Sequence, residues 1–450
     1  MKRSIFGLFT VLVIMGLILS ACGSSATEAP AKPTAPAEPA ATEAQQEQPT
    51  APAEPVMVEK TIVIGFTSSL TGAQEVSSKR QVAGLNLWMQ QVNDAGGIKL
   101  SDGTVVKFEA KTYDDESNKE RVQELYTRLI TEDNADFLIS PYSSGLTAAA
   151  SIIAEQNGKI MITAGAAEDD AYKTGNTSLF QLYTPGSLYL ISTVDMLKTL
   201  DPEAKIAIVH ENDKFSTAVV EGLKPYLESQ GFEVVLEEGY ASDTADFGPV
   251  INKIVESGAT VLLGGGHYPD GSTLARQLYE RKVGLKFVSL LVAPADSKFS
   301  ELGDAALGVS TSSQWELAAT HTPEEAAALG KTWYGPTGAD FAAAYEAATT
   351  EKPTYHVAGG FMAGLILQKA IEDADSVDPE KVKAALEAMD IFTFYGGIKF
   401  DTSPDAHGLQ ISHQMVVAQW QKNDAGELKR VVIWPADVAT NDPLYPVPAP

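Results

Sequence analysis

Asp136-Phe-Leu-Ile-Ser-Pro-Tyr-Ser-Ser-Gly-Leu-Thr-Ala-Ala-Ala150 decides the reading of this chain. A short apolar run, Phe137 to Ile139, stops at Pro141, and two serines precede a helical pattern from Leu146 to Ala154. That is strand, tight turn, helix start. Ser144 stands where an N-cap is expected, with its hydroxyl and the first free N–H groups at the mouth of the turn. A helix start of this kind attracts an anion such as a carboxylate without a basic side chain. Capping alone accounts for Ser143 and Ser144 equally well, so the surrounding pattern has to decide.

Outward from this stretch the pattern repeats. Strands are expected at Thr61–Phe66, Val105–Tyr113, Phe137–Ser140 and Ile160–Thr163, with helices at Lys79–Asn93, Lys119–Thr131 and Leu146–Gln156. After Tyr183-Thr-Pro-Gly-Ser187 a second run follows, with strands at Lys205–His210, Glu233–Leu236, Thr260–Leu263 and Lys286–Leu291. Its helices are Thr217–Ser229, Phe247–Ser257 and Ser272–Lys282. Such alternation implies parallel sheets wound with helices on both faces, and ligands at the carboxyl ends of the strands. Beyond Trp315 come helices Pro323–Leu329, Ala339–Thr349, Tyr355–Ala374 and Pro379–Met389. Strands around Gly397–Phe400, Ile411–Gln421 and Leu428–Trp434 close the chain. The fold class is therefore α/β, two doubly wound parallel-sheet lobes joined by a hinge.

The N-terminus explains itself chemically. Met1-Lys-Arg, an apolar run from Ile5 to Leu19 and Leu19-Ser-Ala-Cys22 make a secretory signal of residues 1–21 in the bacterial lipoprotein pattern. Cys22 is the sole cysteine, so no intrachain disulfide forms, and acylation is its expected fate. Residues 22–58 are a Pro/Ala/Glu-rich tether with almost nothing to bury. Prolines 30, 33, 36 and 39 share one side of a polyproline II helix. At full extension the tether reaches ~110 Å from the lipid. The 33 basic and 59 acidic residues give a formal charge of −26, which argues against nucleic acid or an anionic membrane as partner of the folded part.

The motifs Asn93-Asp-Ala-Gly-Gly-Ile98, Tyr113-Asp-Asp-Glu116, Pro141-Tyr-Ser-Ser-Gly145 and Gly265-Gly-His-Tyr-Pro269 occur in order. Val283-Gly-Leu285, Gly303-Asp-Ala-Ala306, Ser313-Gln-Trp315 and Gly396-Gly-Ile-Lys-Phe-Asp401 follow. With these the chain resembles the leucine/isoleucine/valine-type (branched-chain amino acid) solute-binding proteins of ABC importers, with the type I periplasmic binding protein fold. The resemblance implies a clamshell with a three-strand hinge and a ligand in the cleft. Lobe 1 would be 59–184 and 315–408, lobe 2 185–314 and 409–440, with a tail at 441–450. It implies carboxylate contacts at Tyr142, Ser143 and Ser144, with Gly165 and Ala167 on the next turn. The family's aromatic ligand-facing positions correspond to Ser77, Phe215 and His267, with Tyr268 beside the last. Trp315, at a suspected crossing, is either an aromatic wall of the pocket or a packed hinge residue. The family's acid for an α-ammonium falls near Ala293, which cannot serve; Asp270, Asp296 and Glu211 are the substitutes at hand.

The expected function is thus an extracytoplasmic, lipid-anchored receptor that delivers a small carboxylate-bearing solute to permease subunits in the membrane, as a monomer. A hydrophobic amino acid is the first ligand, an amide or aromatic acid the second, and the sensory domain of a signalling system the rival role. No cofactor or metal is expected. Gly264-Gly-Gly266 lacks the lysine of a phosphate loop, no His-Glu-x-x-His or Gly-x-Ser-x-Gly occurs, and the six histidines have no ligand spacing, so an enzyme is not expected.

Overall fold

Strand–helix alternation organises the computed structural model, which describes residues 57–449. The cysteine, signal and most of the tether lie outside the described residues. First come β1 (Val58–Ser68), α1 (Glu75–Asp94), β2 (Ile98–Lys99), β3 (Thr104–Asp114), α2 (Lys119–Thr131), β4 (Phe137–Ile139), α3 (Ser144–Gln156), β5 (Met161–Thr163) and β6 (Leu179–Gln181). They form a six-stranded sheet in the order β2-β3-β1-β4-β5-β6, parallel except for the β2 edge. Next are α4 (Ile191–Leu200), β7 (Lys205–Glu211), α5 (Lys214–Ser229), β8 (Glu233–Tyr240), α6 (Gly248–Ser257), β9 (Val261–Gly265), α7 (Tyr268–Glu280), β10 (Phe287–Leu290) and β11 (Val309–Ser313). The chain then runs through α8 (Pro323–Ala328), β12 (Thr332–Trp333), α9 (Gly338–Thr349), α10 (Tyr355–Ala374), α11 (Pro379–Glu387), β13 (Asp390–Thr393) and β14 (Gly396–Lys399). It ends with β15 (Val416–Lys422) and β16 (Leu428–Trp434). The second sheet is ordered β16-β15-β11-β10-β9-β7-β8, and β15 is antiparallel to both its neighbours.

Two lobes result, each centred on one sheet. α10 belongs with the first, because it crosses α1 where glycines remove the side chains. A Cβ on Gly360 would lie 1.8 Å from the Gln81 carbonyl oxygen, and one on Gly364 would lie 2.0 Å from the Trp88 ring. Both helices bury an almost continuous apolar surface there. The chain passes between the lobes after β6, after β11 and before β15. Thr184, Gln314 and His413, one from each passage, tie them together. The Thr184 amide donates to Gln314 Oε1 at 2.9 Å, and the Thr184 hydroxyl lies 2.7 Å from His413 Nδ1. His413 Nε2 donates to the Tyr395 carbonyl at 3.0 Å. With Nε2 committed as a donor, Nδ1 must accept, so the hinge holds the neutral imidazole in one tautomer.

Each sheet reverses its winding direction once. In the first, β3 and β4 lie on opposite sides of β1; in the second, β8 and β9 lie on opposite sides of β7. The crevices at such switch points, at the carboxyl ends of the strands, are where open α/β sheets hold ligands. The first crevice holds the turn Pro141–Ser144. The second holds Glu211 to Asp213 and Gly266 to His267. The two face one another across the interlobe space.

Candidate functional site

The turn after β4 differs from expectation in one detail. Ser143, not Ser144, is the N-cap of α3: its hydroxyl accepts the Leu146 amide at 3.3 Å. Ser143 adopts φ +84° and ψ +146°, a region that costs a residue with a side chain on the order of 1–3 kcal/mol and is concentrated at ligand sites. Ser144 is the first helical residue, and its hydroxyl accepts the amides of Ala167 and Glu168, both at 3.2 Å. The Ser143 amide in turn donates to the Gly165 carbonyl at 3.0 Å. Pro141–Ser144 and Gly165–Glu168 are thereby fastened into one double turn, while the amides of Ser144 and Gly145 precede the first intrahelical bond. Gly165 is required by contact: a Cβ would lie 2.1 Å from Gln81 Oε1 and 2.8 Å from the Tyr142 ring.

This double turn forms one side of a small, nearly closed cavity between the lobes. The first lobe contributes Tyr142, Ser143, Ser144, Gly165, Ala167 and Tyr355, with Tyr183 at the first crossing. Tyr189, Phe215, His267 and Val292 face them from the second. The walls are predominantly aromatic, and their rings interlock in edge-to-face and tilted contacts. Tyr189 meets Phe215 at 5.2 Å between ring centres, Phe215 meets His267 at 5.7 Å, and His267 meets Tyr142 at 5.9 Å. The hydroxyls of Tyr189 and Tyr355 lie 3.2 Å apart, and that of Tyr142 lies 3.3 Å from His356 Nε2. Burial holds His356 neutral, with a pKa pushed down to about 3, and the positive charge of His267 acts in the same direction.

His267 is held differently. Its Nε2 lies 3.0 Å from Asp213 Oδ2, and Asp213 caps α5 by accepting the Ser216 amide at 2.7 Å. Burial alone would lower the imidazole pKa, but the hydrogen bond and charge of Asp213, with Glu211 and Asp270 behind, raise it to about 9. Burial would likewise raise the Asp213 carboxyl, and His267 and the Ser216 amide together keep it below its ordinary value. Glu211 and Asp270 are pushed upward, chiefly by burial. Two buried polar atoms of the cavity walls have no protein partner: the Tyr183 hydroxyl and His267 Nδ1.

Of the residues expected from sequence, Tyr142, Ser143, Ser144, Gly165, Ala167, Phe215 and His267 line this cavity, and Ser77, Tyr268 and Trp315 do not. Ser77 lies close to the Tyr142 hydroxyl and outside the cavity walls. Tyr268 opens α7 and packs against the second lobe's core. Trp315 is packed in the hinge against Phe341 and Phe394, its indole N–H donating to Thr320. Tyr183, Tyr189, Val292 and Tyr355 complete the walls without having been singled out by the sequence. None of the three acids proposed for an ammonium lines the cavity. Asp296 is paired with Arg80 of the first lobe at 3.4 Å, Asp270 accepts the Tyr240 hydroxyl, and Glu211 lies behind Gly266, whose Cβ would meet it at 2.3 Å. Asp115 fixes the turn after β1 by accepting the hydroxyls of Thr67 and Ser69.

The lobes touch around the cavity. Arg80 bridges Asp296 across the gap and Glu351 on its own side, and Asp169 accepts the amide and hydroxyl of Ser187.

Comparisons with known proteins agree with this architecture. The leucine-, isoleucine-, valine-, threonine- and alanine-binding protein of Pseudomonas aeruginosa is 24% identical over 371 residues, 82% of this chain and 92% of that protein. The branched-chain amino acid transporter substrate-binding protein of Streptococcus pneumoniae, solved with isoleucine, superposes with a TM-score of 0.68 at 20% identity, over 84% of this chain and all of that one. An ABC-transporter solute-binding protein of Rhodopseudomonas palustris, solved with 3,4-dihydroxybenzoic acid, gives 0.69 at 19% identity, over 87% and 99%. The family profile described as periplasmic binding protein matches residues 61–426. With two α/β lobes, a threefold crossing and a walled interlobe cavity, the chain belongs to the periplasmic binding protein family.

Proposed function

We propose that the protein is the extracytoplasmic receptor of an ABC importer, binding a small carboxylate-bearing solute in the interlobe cavity and presenting it to the permease. The observation that carries this reading is the double turn of Ser143, Ser144 and Gly165, which opens a helix and lines an aromatic cavity closed by the opposite lobe. A solute touching both lobes is bound more tightly by the closed form than by the open one, and that difference in affinity drives closure. The permease then distinguishes closed receptor from open. Amino acids and aromatic acids are the ligand classes of relatives and structural neighbours, and both carry the required carboxylate.

A thermal-shift panel of amino acids, amides and aromatic acids tests the reading, because a ligand bound only by the native state raises the apparent Tm. No shift with any carboxylate at millimolar concentration would end it. Once a ligand is found, Ser144→Ala is expected to weaken its binding by about 1–2 kcal/mol, through loss of a hydroxyl that fastens the two anion-facing turns. Calorimetry with unchanged affinity would leave Ser144 a purely local turn residue.

The anchor rests on Leu19-Ser-Ala-Cys22. We expect Cys22→Ser to move the protein from the membrane fraction to the soluble extracytoplasmic fraction. Retention in the membrane fraction would refute acylation. Among the described residues no helix is long and apolar enough to cross a membrane.

A further inference from the structure

The wall contributed by the second lobe contains an arrangement that the carboxylate reading leaves unused. His267 is only 4% exposed, its Nε2 is committed to Asp213, and its Nδ1 is buried without a partner. Across the same cavity the Tyr183 hydroxyl is also buried without a partner. A buried polar group left unpaired costs on the order of 1–3 kcal/mol, so a solute in the cavity that pairs with either group recovers that cost.

The groups facing His267 determine what that something can be. Asp213 at the start of α5 and Glu211 at the end of β7 surround it, with Asp270 from α7 and the Tyr240 hydroxyl from β8. From the first lobe come Tyr142 and the neutral His356. The carboxylates all lie behind the imidazole or beside it, and none of them lines the cavity. They hold a proton on the ring, which leaves Nδ1–H as a charged donor with no acceptor. An ammonium placed against Nδ1–H would meet a second cation, and the unpaired carboxylate oxygen of this cluster, Glu211 Oε2, lies behind Gly266 and does not line the cavity. A carbonyl, hydroxyl or carboxylate oxygen would accept from the ring.

Resting on the reading of this cavity as a solute site, we propose that His267, fixed by Asp213, is the specificity-determining contact of the second lobe, and that it selects carboxylates bearing an oxygen acceptor where an amino acid bears its ammonium. The ligand class is then an oxo, hydroxy or ammonium-free acid in preference to a plain amino acid.

Matched pairs test this by calorimetry on the full chain: leucine against 4-methyl-2-oxopentanoate, and phenylalanine against phenylpyruvate. Within each pair the skeleton and carboxylate are the same, and only the ammonium is exchanged for a carbonyl oxygen. The oxo acid is expected to bind at least tenfold more tightly. Asp213→Asn, which keeps the shape and removes the charge, should narrow that ratio to less than threefold. His267→Gln should narrow it similarly and supplies the same readout if the first variant fails to fold. The affinity of the wild type for the oxo acid is expected to be flat from pH 6 to 8 and to fall as the pH rises through about 9, where His267 loses its proton. Equal or tighter binding of the amino acids, or a ratio unchanged in both variants, would overturn the proposal. Failure of every acid to bind, while uncharged solutes do, would instead overturn the carboxylate reading and this inference with it.

Discussion

Gly360→Ala is expected to destabilise the protein by about 3 kcal/mol, a large effect for the addition of one methyl group. The new Cβ would lie 1.8 Å from the carbonyl oxygen of Gln81 and 2.7 Å from its carbonyl carbon. Those atoms are backbone in the middle of α1, so no rotamer change relieves the clash and the two helices must separate. Separation would also unpack Trp88, which fills the space over Gly364 and is 2% exposed. Alanine's better helix propensity returns only about 1 kcal/mol. Gly284→Ala is the control, because nothing lies within 4 Å of its added Cβ. Urea unfolding midpoints of the two variants decide the matter, and a Gly360→Ala midpoint equal to wild type would contradict the close crossing. The same shift would disturb the site, because the Gln81 amide donates to the Ser140 carbonyl at 2.8 Å, one residue before the double turn begins.

Acid should unfold the protein through two histidines. Burial pushes His356 and His413 down to about 3 from the ordinary 6.5. In the unfolded chain both bind protons below pH 6.5, so the unfolded state holds more protons across the window from 6.5 to about 3. Stability is therefore complete above pH 6.5 and falls as the pH falls through that window. At pH 4.5 each histidine costs roughly 2–3 kcal/mol, and the pair is comparable with the whole stability of many domains. The carboxyls of Glu168, Glu211 and Asp270, raised mainly by burial, act in the opposite sense. For that reason the comparison is made between wild type and His413→Gln. The variant loses stability at pH 7, where the hinge tie is broken, but its decline from pH 7 to 4.5 should be smaller than that of wild type by roughly 2–3 kcal/mol. Parallel urea-midpoint profiles for the two proteins would show that His413 does not take up a proton on unfolding.

The sequence shows helices best where an apolar stripe runs their full length. α2, α10 and β16 have the expected bounds. α1, α5 and α7 begin three or four residues early, because their first turns (Glu75-Val-Ser-Ser, Lys214-Phe-Ser, Tyr268-Pro-Asp-Gly) mix polar and apolar residues out of the helical period. β11, Val309-Ser-Thr-Ser-Ser313, was not expected as a strand because four of its five residues carry hydroxyls. In the fold these are buried and satisfied, Ser310 by the Val288 carbonyl and Thr311 by that of Leu291. The strand expected from Ile411 starts at Val416, since the intervening residues are the third crossing. The serine turn was legible because strand, turn and helix are adjacent in sequence. Tyr183, Tyr189 and Tyr355 were not, since their meeting depends on how the crossings fold back. The pairing of His267 with Asp213, 54 residues away, needs the order of β7 and β9 in the sheet, which the alternation of elements does not determine.

The threefold passage of the chain also governs how the protein can be made. The first lobe begins at β1 but receives its central helix, α10, only after the second lobe's five parallel strands have been synthesised. Until α10 emerges, the apolar face of α1 that ends at Trp88 has no neighbour to cover it. Contacts of such sequence separation form slowly and leave sticky intermediates. The first lobe therefore completes its core only after most of the second lobe has been made.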